Sequence, residues 1–295
     1  MKYVLAGASG FLGKALARDL VADGHQVLRL VRRTPSTPDE IRWNPAGGEL
    51  DPASLGDPDV LVNLAGANIG RPWTPTYRNT IRESRVSTTA TLATAAAQLD
   101  QHPVLITQSG IGGYGTDLGD RILTEDSELG QGFLSDVVGL WEGALEPARD
   151  AGSRVAALRT GVVLDRKAPA FQLLSLPFRL GLGGRLGSGT QYFPVVSLTD
   201  WIRAVRFVAE NDTISGPVNV TLPTPATNTE FTEALATALN RPAFVPVPAF
   251  LMKAALGEFA WELLGSKRAL PTRLQSAGFA FHHPTVTTAL SAALA

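Results

Sequence analysis

The sequence predicts an α/β fold: a doubly wound parallel sheet followed by a smaller, mostly helical substrate region. Three observations carry this. Short apolar β runs alternate with single amphipathic helices over residues 1–164. A glycine-rich turn separates the first strand from the first helix. Beyond about Leu164 the alternation gives way to glycine loops and helices. Strands joined by single helices imply right-handed crossovers, hence parallel neighbours.

Each element has its own warrant. Tyr3-Val4-Leu5-Ala6 is a β run, and glycines 7 and 10 break it. Leu12, Ala15, Leu16 and Leu20 then recur at helical spacing over 11–22. Gly24 ends that helix, 27–31 is a second strand, and 41–43 is a short edge strand before the Pro/Gly turn at 44–48. Residues 59–64 are almost continuously apolar, as in a strand covered on both faces. A helix over 76–99, a strand over 103–107, a helix over 133–148 and a strand over 155–159 follow. Residues 165–200 read mostly as loop, then 200–210 as helix, 217–220 as strand and 228–239 as helix. Residues 242–248 read as an extended, proline-punctuated piece, and the remainder as largely helical. The domain reading is 1–164 for nucleotide binding, with a returning strand near 217–220, and 165–295 for the substrate cleft and C-terminal region.

Composition narrows the function. A chain of 295 residues buries an ample core without covalent staples. With 26 Lys+Arg against 27 Asp+Glu, the net charge of -1 argues against a nucleic-acid partner. Zero cysteines exclude disulfides, iron–sulfur clusters and zinc–thiolate sites. The N-terminal apolar stretch is short, and 246–264 is interrupted by Lys253, Glu258 and Glu262, so neither a secretory signal nor a membrane span is expected. The expectation is a cytoplasmic protein with a small-molecule substrate and no membrane partner, its oligomeric state open. The four histidines, at 25, 102, 282 and 283, form no expected metal site.

Gly7-Ala8-Ser9-Gly10-Phe11-Leu12-Gly13 is Gly-x-x-Gly-x-x-Gly between strand and helix, the context of a dinucleotide-binding turn. The first glycine permits the turn, the second lets the backbone approach a pyrophosphate, and the third lets the helix pack closely. The free N–H groups of the helix start suit phosphate. Gly7, Ser9, Gly10, Phe11, Leu12 and Gly13 are therefore the expected cofactor contacts. A P-loop is excluded, because Lys14 is followed by Ala15 and no hydroxyl can hold magnesium. The second strand ends Val31-Arg32-Arg33, with no acid before Asp39 to bond a ribose 2′-OH. Two guanidinium groups there suit a 2′-phosphate, so the expected cofactor is NADP(H), with Arg32 preferred over Arg33 as the nearer to the strand end.

Further segments extend the pattern: Asn63-Leu64-Ala65-Gly66, Ser84-Arg85, Ser109 to Gly115, Trp141-Glu142, Leu158 to Leu164, the glycines at 181–189, and 277–281. Together with the glycine turn they resemble an extended short-chain dehydrogenase/reductase. The closer resemblance is to an atypical subgroup of the NAD-dependent epimerase/dehydratase superfamily, labelled epimerase family proteins or cell-division inhibitors. It runs over nearly the whole chain, including that subgroup's small C-terminal domain of unknown function. The resemblance implies a Rossmann fold in which Leu64, Ala65 and Gly66 line the adenine side, Ser109 faces the nicotinamide, and Gly161, Val162 and Val163 follow the strand beneath it. One departure is plain: a Trp-Ile-His stretch common in the family reads Val195-Val196-Ser197 here.

Most members of that superfamily pair a serine with Tyr-x-x-x-Lys on a helix, where the lysine charge eases proton exchange by the phenol. Val137 and Trp141 stand at those places, so the dyad is absent. Ser109 remains to hold a carbonyl, and Tyr114 is the nearest candidate acid or base. Glu125 and Glu142 are expected at the surface or as helix caps, and Trp141 in the core. The glycine loop at 181–189 followed by Tyr192-Phe193 reads either as a lid or as a surface connection. The resulting expectation is an NADP(H)-dependent oxidoreductase or epimerase-like enzyme acting on a small carbonyl or hydroxyl compound. The alternative is a non-catalytic NADP(H)-binding sensor.

Overall fold

A computed structural model describes residues 1–295. Its strands are β1 (Lys2–Ala6), β2 (Gln26–Val31), β3 (Glu40–Arg42), β4 (Val60–Asn63), β5 (Val104–Gly110), β6 (Ile122–Leu123), β7 (Val155–Thr160), β8 (Val162–Leu164), β9 (Val195–Ser197), β10 (Gly216–Val220) and β11 (Arg268–Ala269). The helices are α1 (Phe11–Ala22), α2 (Pro75–Ala96), α3 (Phe133–Gly143), α4 (Glu146–Asp150), α5 (Pro169–Arg179), α6 (Leu198–Glu210), α7 (Asn228–Leu239), α8 (Ala249–Leu256), α9 (Ala260–Leu264), α10 (Thr272–Ser276) and α11 (Val286–Leu294). No helix is long and apolar enough to cross a membrane.

The central sheet has 7 strands, all parallel, in the order β10-β7-β5-β4-β1-β2-β3. The order reverses at β1, so the carboxyl ends of β1 and β4 diverge into the crevice where such sheets bind ligands. Side-chain alternation divides β1 between two cores. Tyr3 and Leu5 pack with Leu16, Leu20, Trp201 and Val205 of α1 and α6, while Val4 and Ala6 pack with Leu92, Ala93 and Ala96 of α2. Both faces are thus covered, which is why these strands are apolar throughout.

Four boundaries differ from expectation. The helix expected over 133–148 breaks into α3 and α4 around Ala144 and Leu145, and Pro147, which lacks an N–H, sits in the first turn of the second piece. Residues 169–179, read as loop, form α5; Phe171, Ser175 and Phe178 are buried at helical spacing, a signal masked by Pro177 and the glycines beyond it. β10 returns to the sheet beside β7, as expected near 217–220, but α6, read as part of the C-terminal region, also packs on the sheet body; the rest of the C-terminal half builds the separate core of Phe171, Phe193, Phe231, Leu235 and Leu290. The glycine loop is no free lid: Val245 and Val247 donate to the carbonyls of Gly183 and Arg185, and Leu186 donates to Asn228 Oδ1 at 2.7 Å.

Candidate cofactor and active site

At the end of β1 the chain turns through Gly7 at φ +79°. A Cβ on Gly7 would stand 2.6 Å from the Leu64 carbonyl carbon, and one on Gly13 would stand 2.3 Å from the Gly7 oxygen. The turn is therefore wedged between the β4 exit and α1, and both positions exclude a side chain. A Cβ on Gly10 would meet only the Gly7 oxygen, at 3.3 Å, so its outer side is open. Gly10 is the N-cap of α1 and brings no side-chain acceptor, leaving the first N–H groups to a phosphate. Ser9 and Gly10 are exposed, and the half-buried Phe11 leans on the C-terminal core.

The Leu64-Ala65-Gly66 loop is fixed from α2. Asn63 is fully buried; its Nδ2 donates to Thr88 and Thr89 at 3.1 and 2.8 Å, and its Oδ1 accepts from Ala65 N–H. Ser84 accepts from Ala67 N–H at 2.9 Å, and Arg85 donates to the Ala67 carbonyl at 3.0 Å. Burial pushes the Arg85 guanidinium down to about 10.

At the β2 end the two arginines part company. Arg33 clasps Glu40 through two bonds of 2.8 and 2.6 Å, and this clasp, with Ser36 N–H, holds the Glu40 carboxyl at about 2. Asp39 accepts from Arg29 Nε at 2.7 Å. Both acids near the adenosine side are thus neutralised, while Arg32 is exposed and enters no ion pair.

The catalytic candidates are rearranged more strongly. Ser109, Arg159 and Asn219 are register partners across β5, β7 and β10. Ser109 Oγ donates to Glu142 Oε1 at 2.7 Å, and Arg159 meets both oxygens of the same carboxylate at 2.9 and 2.8 Å. Burial works against the Arg159 charge, but the bonds to Glu142 outweigh it and its pKa rises. Glu142, expected at the surface, therefore sits in the centre of the site. Sequence reasoning missed this pair, although an arginine inside a buried apolar strand was its visible signal.

Tyr114 corrects the other expectation. Its ring lies under the Arg159 guanidinium at 4.9 Å, the residue is 1% exposed, and its phenol faces the Thr124 carbonyl and Asn219 Oδ1 at 2.9 and 2.8 Å. Burial raises its pKa, partly offset by Arg159. The phenol is thus engaged inside the core rather than presented to an open cleft. Glu125, also expected outside, is buried and accepts the N–H groups of Asn219 and Arg273. Trp141 is buried as expected, donating to Thr89 at 2.9 Å, and Val137 is buried as well. Gly161 is pressed against Pro194, whose oxygen is 2.6 Å from where its Cβ would be, and accepts no side chain; Val162 and Val163 continue into β8 beside β9. Ser197, at the place of the family histidine, caps α6 and meets His283 Nδ1 at 3.0 Å.

Comparison with known proteins agrees with this architecture. Residues 3–131 match the model of the NAD dependent epimerase/dehydratase family, and residues 247–293 match a domain of unknown function. An epimerase family protein of Mycobacterium leprae is 44% identical over 289 residues, 97% of this chain and 94% of that protein. The chain belongs to the epimerase family. The human epimerase family protein SDR39U1, solved with NADPH, superposes with a TM-score of 0.89 at 34% identity, covering 99% of this chain and 98% of that one. A nucleoside-diphosphate sugar epimerase from Corynebacterium glutamicum gives 0.84 at 34% identity, covering 100% of this chain and 58% of that one. MoeE5 in complex with UDP-glucose and NAD gives 0.76 at 20% identity, covering 100% of this chain and 97% of that one; this likeness shows the fold alone.

In this epimerase-family chain the halves are joined next to the site. Arg78 of α2 donates to Glu258 at 2.8 Å, Trp73 packs edge-on to Phe133 and Phe259, and β6 pairs with β11. Between them lies a groove of about 330 Å³ that reaches Gly112, three residues beyond Ser109. Asp200 is fully buried and accepts the N–H groups of His282 and His283 at 2.8 Å, which explains both histidines as anchors of the C-terminal segment.

Proposed function

We propose that the chain is an NADP(H)-dependent oxidoreductase or epimerase-like enzyme acting on a small carbonyl or hydroxyl compound. The carrying observation is the β2 end, where Arg29 and Arg33 neutralise the nearby acids and leave Arg32 free for a 2′-phosphate. The open N-terminus of α1 suits the pyrophosphate, and the NADPH-bound human relative at 34% identity supports the same cofactor. On this reading Gly7, Ser9, Gly10, Phe11, Leu12 and Gly13 form the phosphate cradle, Leu64, Ala65 and Gly66 flank the adenine, and Ser109 with Gly161, Val162 and Val163 lies near the nicotinamide.

Bound NADP(H) supplies or accepts hydride. The protein's part is to hold the reacting oxygen and its proton. Because Ser109 donates its own proton to Glu142, the lone pairs of its Oγ are left to accept from a substrate hydroxyl. A proton leaving that hydroxyl passes to Ser109 Oγ as the serine proton moves to Glu142 Oε1. Arg159 fixes the carboxylate for this relay. In the reductive direction the same relay runs backward, Glu142 returning a proton to Ser109 as the serine gives its own to the carbonyl oxygen, as in the sequence reading.

The sensor reading is favoured by one observation, the commitment of the Tyr114 phenol inside the core. Equilibrium titration and turnover separate the two. Arg32→Ala is expected to weaken NADPH about tenfold or more, the worth of one charge-assisted bond, and to leave NADH unchanged. NADH binding as tightly as NADPH would sink the cofactor assignment. Consumption of NADPH with mixed carbonyl compounds, lost in Ser109→Ala, supports the enzyme; tight binding without turnover supports the sensor.

A further inference from the structure

The C-terminal half carries an apolar face that nothing in the chain covers. Helix α5 buries Phe171, Ser175 and Phe178 on one side, yet Leu173, Leu176 and Leu180 on the other stand exposed, Leu180 at 66%. A helix apolar on both sides is ordinarily covered on both. The chain beyond α5 continues the face. Leu182 is exposed, and residues 183–187 are bonded to 245–247 through the N–H groups of Val245 and Val247. Phe244 before that strip is 75% exposed, and Phe250 after it is 68% exposed. Eight of the 13 large apolar side chains that the molecule exposes lie within residues 166–191 and 240–257. Singly scattered apolar residues need no explanation, but a cluster of this kind marks an interaction surface.

The same two segments contain six cations and no acid: Arg166, Lys167, Arg179, Arg185, Arg241 and Lys253. All six are exposed and none enters an ion pair; Lys253 lies 4.0 Å from the Trp261 ring centre. The rest of the chain is left with 20 Lys+Arg against 27 Asp+Glu, so positive charge is concentrated here. The acids that bound the segments are already occupied: Asp165 accepts the N–H of Lys167, and Glu258 bonds Arg78.

We infer that this face rests on the surface of an anionic lipid bilayer, with α5 lying in the interface. Its leucines, with Phe244 and Phe250, enter the acyl boundary to a depth of roughly 5–10 Å, while the long arginine and lysine side chains reach the phosphate headgroups. Each cation at a negative surface is worth about a fivefold gain in partitioning. Aliphatic leucines outnumber the rings, which suits acyl chains rather than the stacked bases of a nucleic acid. A second copy of the chain would set cations against cations with no acid between them, so self-association on this face is opposed. The inference departs from the expectation of no membrane partner, which the lack of a spanning segment suggested. At 11 residues α5 is far too short to span, but adsorption needs only one apolar face. It does not depend on the oxidoreductase reading.

The test is co-sedimentation of the full chain with vesicles of phosphatidylcholine alone and of phosphatidylcholine mixed with phosphatidylglycerol. Binding to the anionic vesicles is expected to be at least about tenfold tighter than to the neutral ones, and to weaken as salt is raised. The double variant Leu176→Gln, Leu180→Gln, and separately Phe250→Ser, are each expected to lower anionic-vesicle binding about tenfold. Arg179→Gln with Arg241→Gln is expected to lower it about twentyfold, and Arg149→Gln, on α4 outside the face, to leave it unchanged. Because all these side chains are exposed, melting temperature and NADPH affinity should stay at parent values, which shows that the variants are folded. Absence of sedimentation with either vesicle at low salt overturns the inference, as does equal binding to both. Anionic-vesicle binding unmoved by the leucine and phenylalanine variants overturns it too. A dimer in solution that the leucine variants dissociate would assign the face to a second copy, and duplex DNA bound through Arg179 and Arg241 would assign it to nucleic acid; either result defeats the lipid assignment.

Discussion

The pair formed by Glu142 and Arg159 can be tested as a stability element independently of any substrate. The Arg159 side chain is 5% exposed and that of Glu142 15%, so the ion pair is shielded from water. Glu142→Gln keeps the shape and leaves a buried guanidinium facing a neutral amide. Breaking one side of a buried pair costs about 3–5 kcal/mol, and the retained amide oxygen argues for the lower end, about 3 kcal/mol. For a chain of 295 residues that lowers the melting temperature by about 5 °C. Chemical denaturation and calorimetry with saturating and zero NADPH would measure it. Arg159→Met is expected to cost a similar amount, since it strands the carboxylate. The double variant Glu142→Gln, Arg159→Met is expected to cost clearly less than the two together, the signature of a direct coupling. A loss below about 1 kcal/mol for Glu142→Gln, or strict additivity in the double variant, would refute the account of this ladder.

Two further outcomes follow from local geometry. Gly13→Ala places a methyl 2.3 Å from the Gly7 oxygen and 2.7 Å from Ala8 Cα, backbone atoms that must move, so stability should fall by about 1–3 kcal/mol and NADPH affinity with it; unchanged denaturation midpoints would contradict the wedged turn. Burial, reinforced by Glu210, raises the Tyr3 phenol from 10.0 to about 12. Its contribution is complete below pH 10 and lost as pH rises toward 12, so the parent should lose about 2 kcal/mol more than Tyr3→Phe across that window; parallel pH–stability curves for the two proteins would count against it.

The fold was legible because its signals are local. Alternation in Tyr3-Val4-Leu5-Ala6, the spacing of Leu12, Leu16 and Leu20, and the glycines at 7, 10 and 13 each report on a few neighbouring residues. The cofactor turn belongs to the same class, since strand, turn and helix are consecutive. The chemistry was less legible because it is assembled across strands. Ser109 and Arg159 are 50 positions apart, and only the β5–β7 register makes them partners. Glu142 looked like an exposed helix residue until the arginine opposite it was placed. Tyr114 looked available because its loop follows Ser109, whereas the short helical turn over residues 111–114 carries its ring inward to Arg159 and Asn219. Asp200 and the two C-terminal histidines could not be connected without the fold, because backbone N–H groups rather than side chains make the bond.

The pairing of early and late segments has a consequence for how the chain is made. Synthesis proceeds from the N-terminus, and domains tend to fold as they emerge. Here β7 waits for β10 to cover its edge, β6 has no partner until β11 arrives, and the buried Glu125 carboxylate waits for the Arg273 N–H. The glycine loop at 181–189 likewise stays unpinned until residues 245–247 are translated. A nascent chain therefore holds a nearly complete nucleotide crevice beside an unfinished sheet margin. The margin closes only once residues 268–273 have emerged, so chaperone dependence should concentrate before that point.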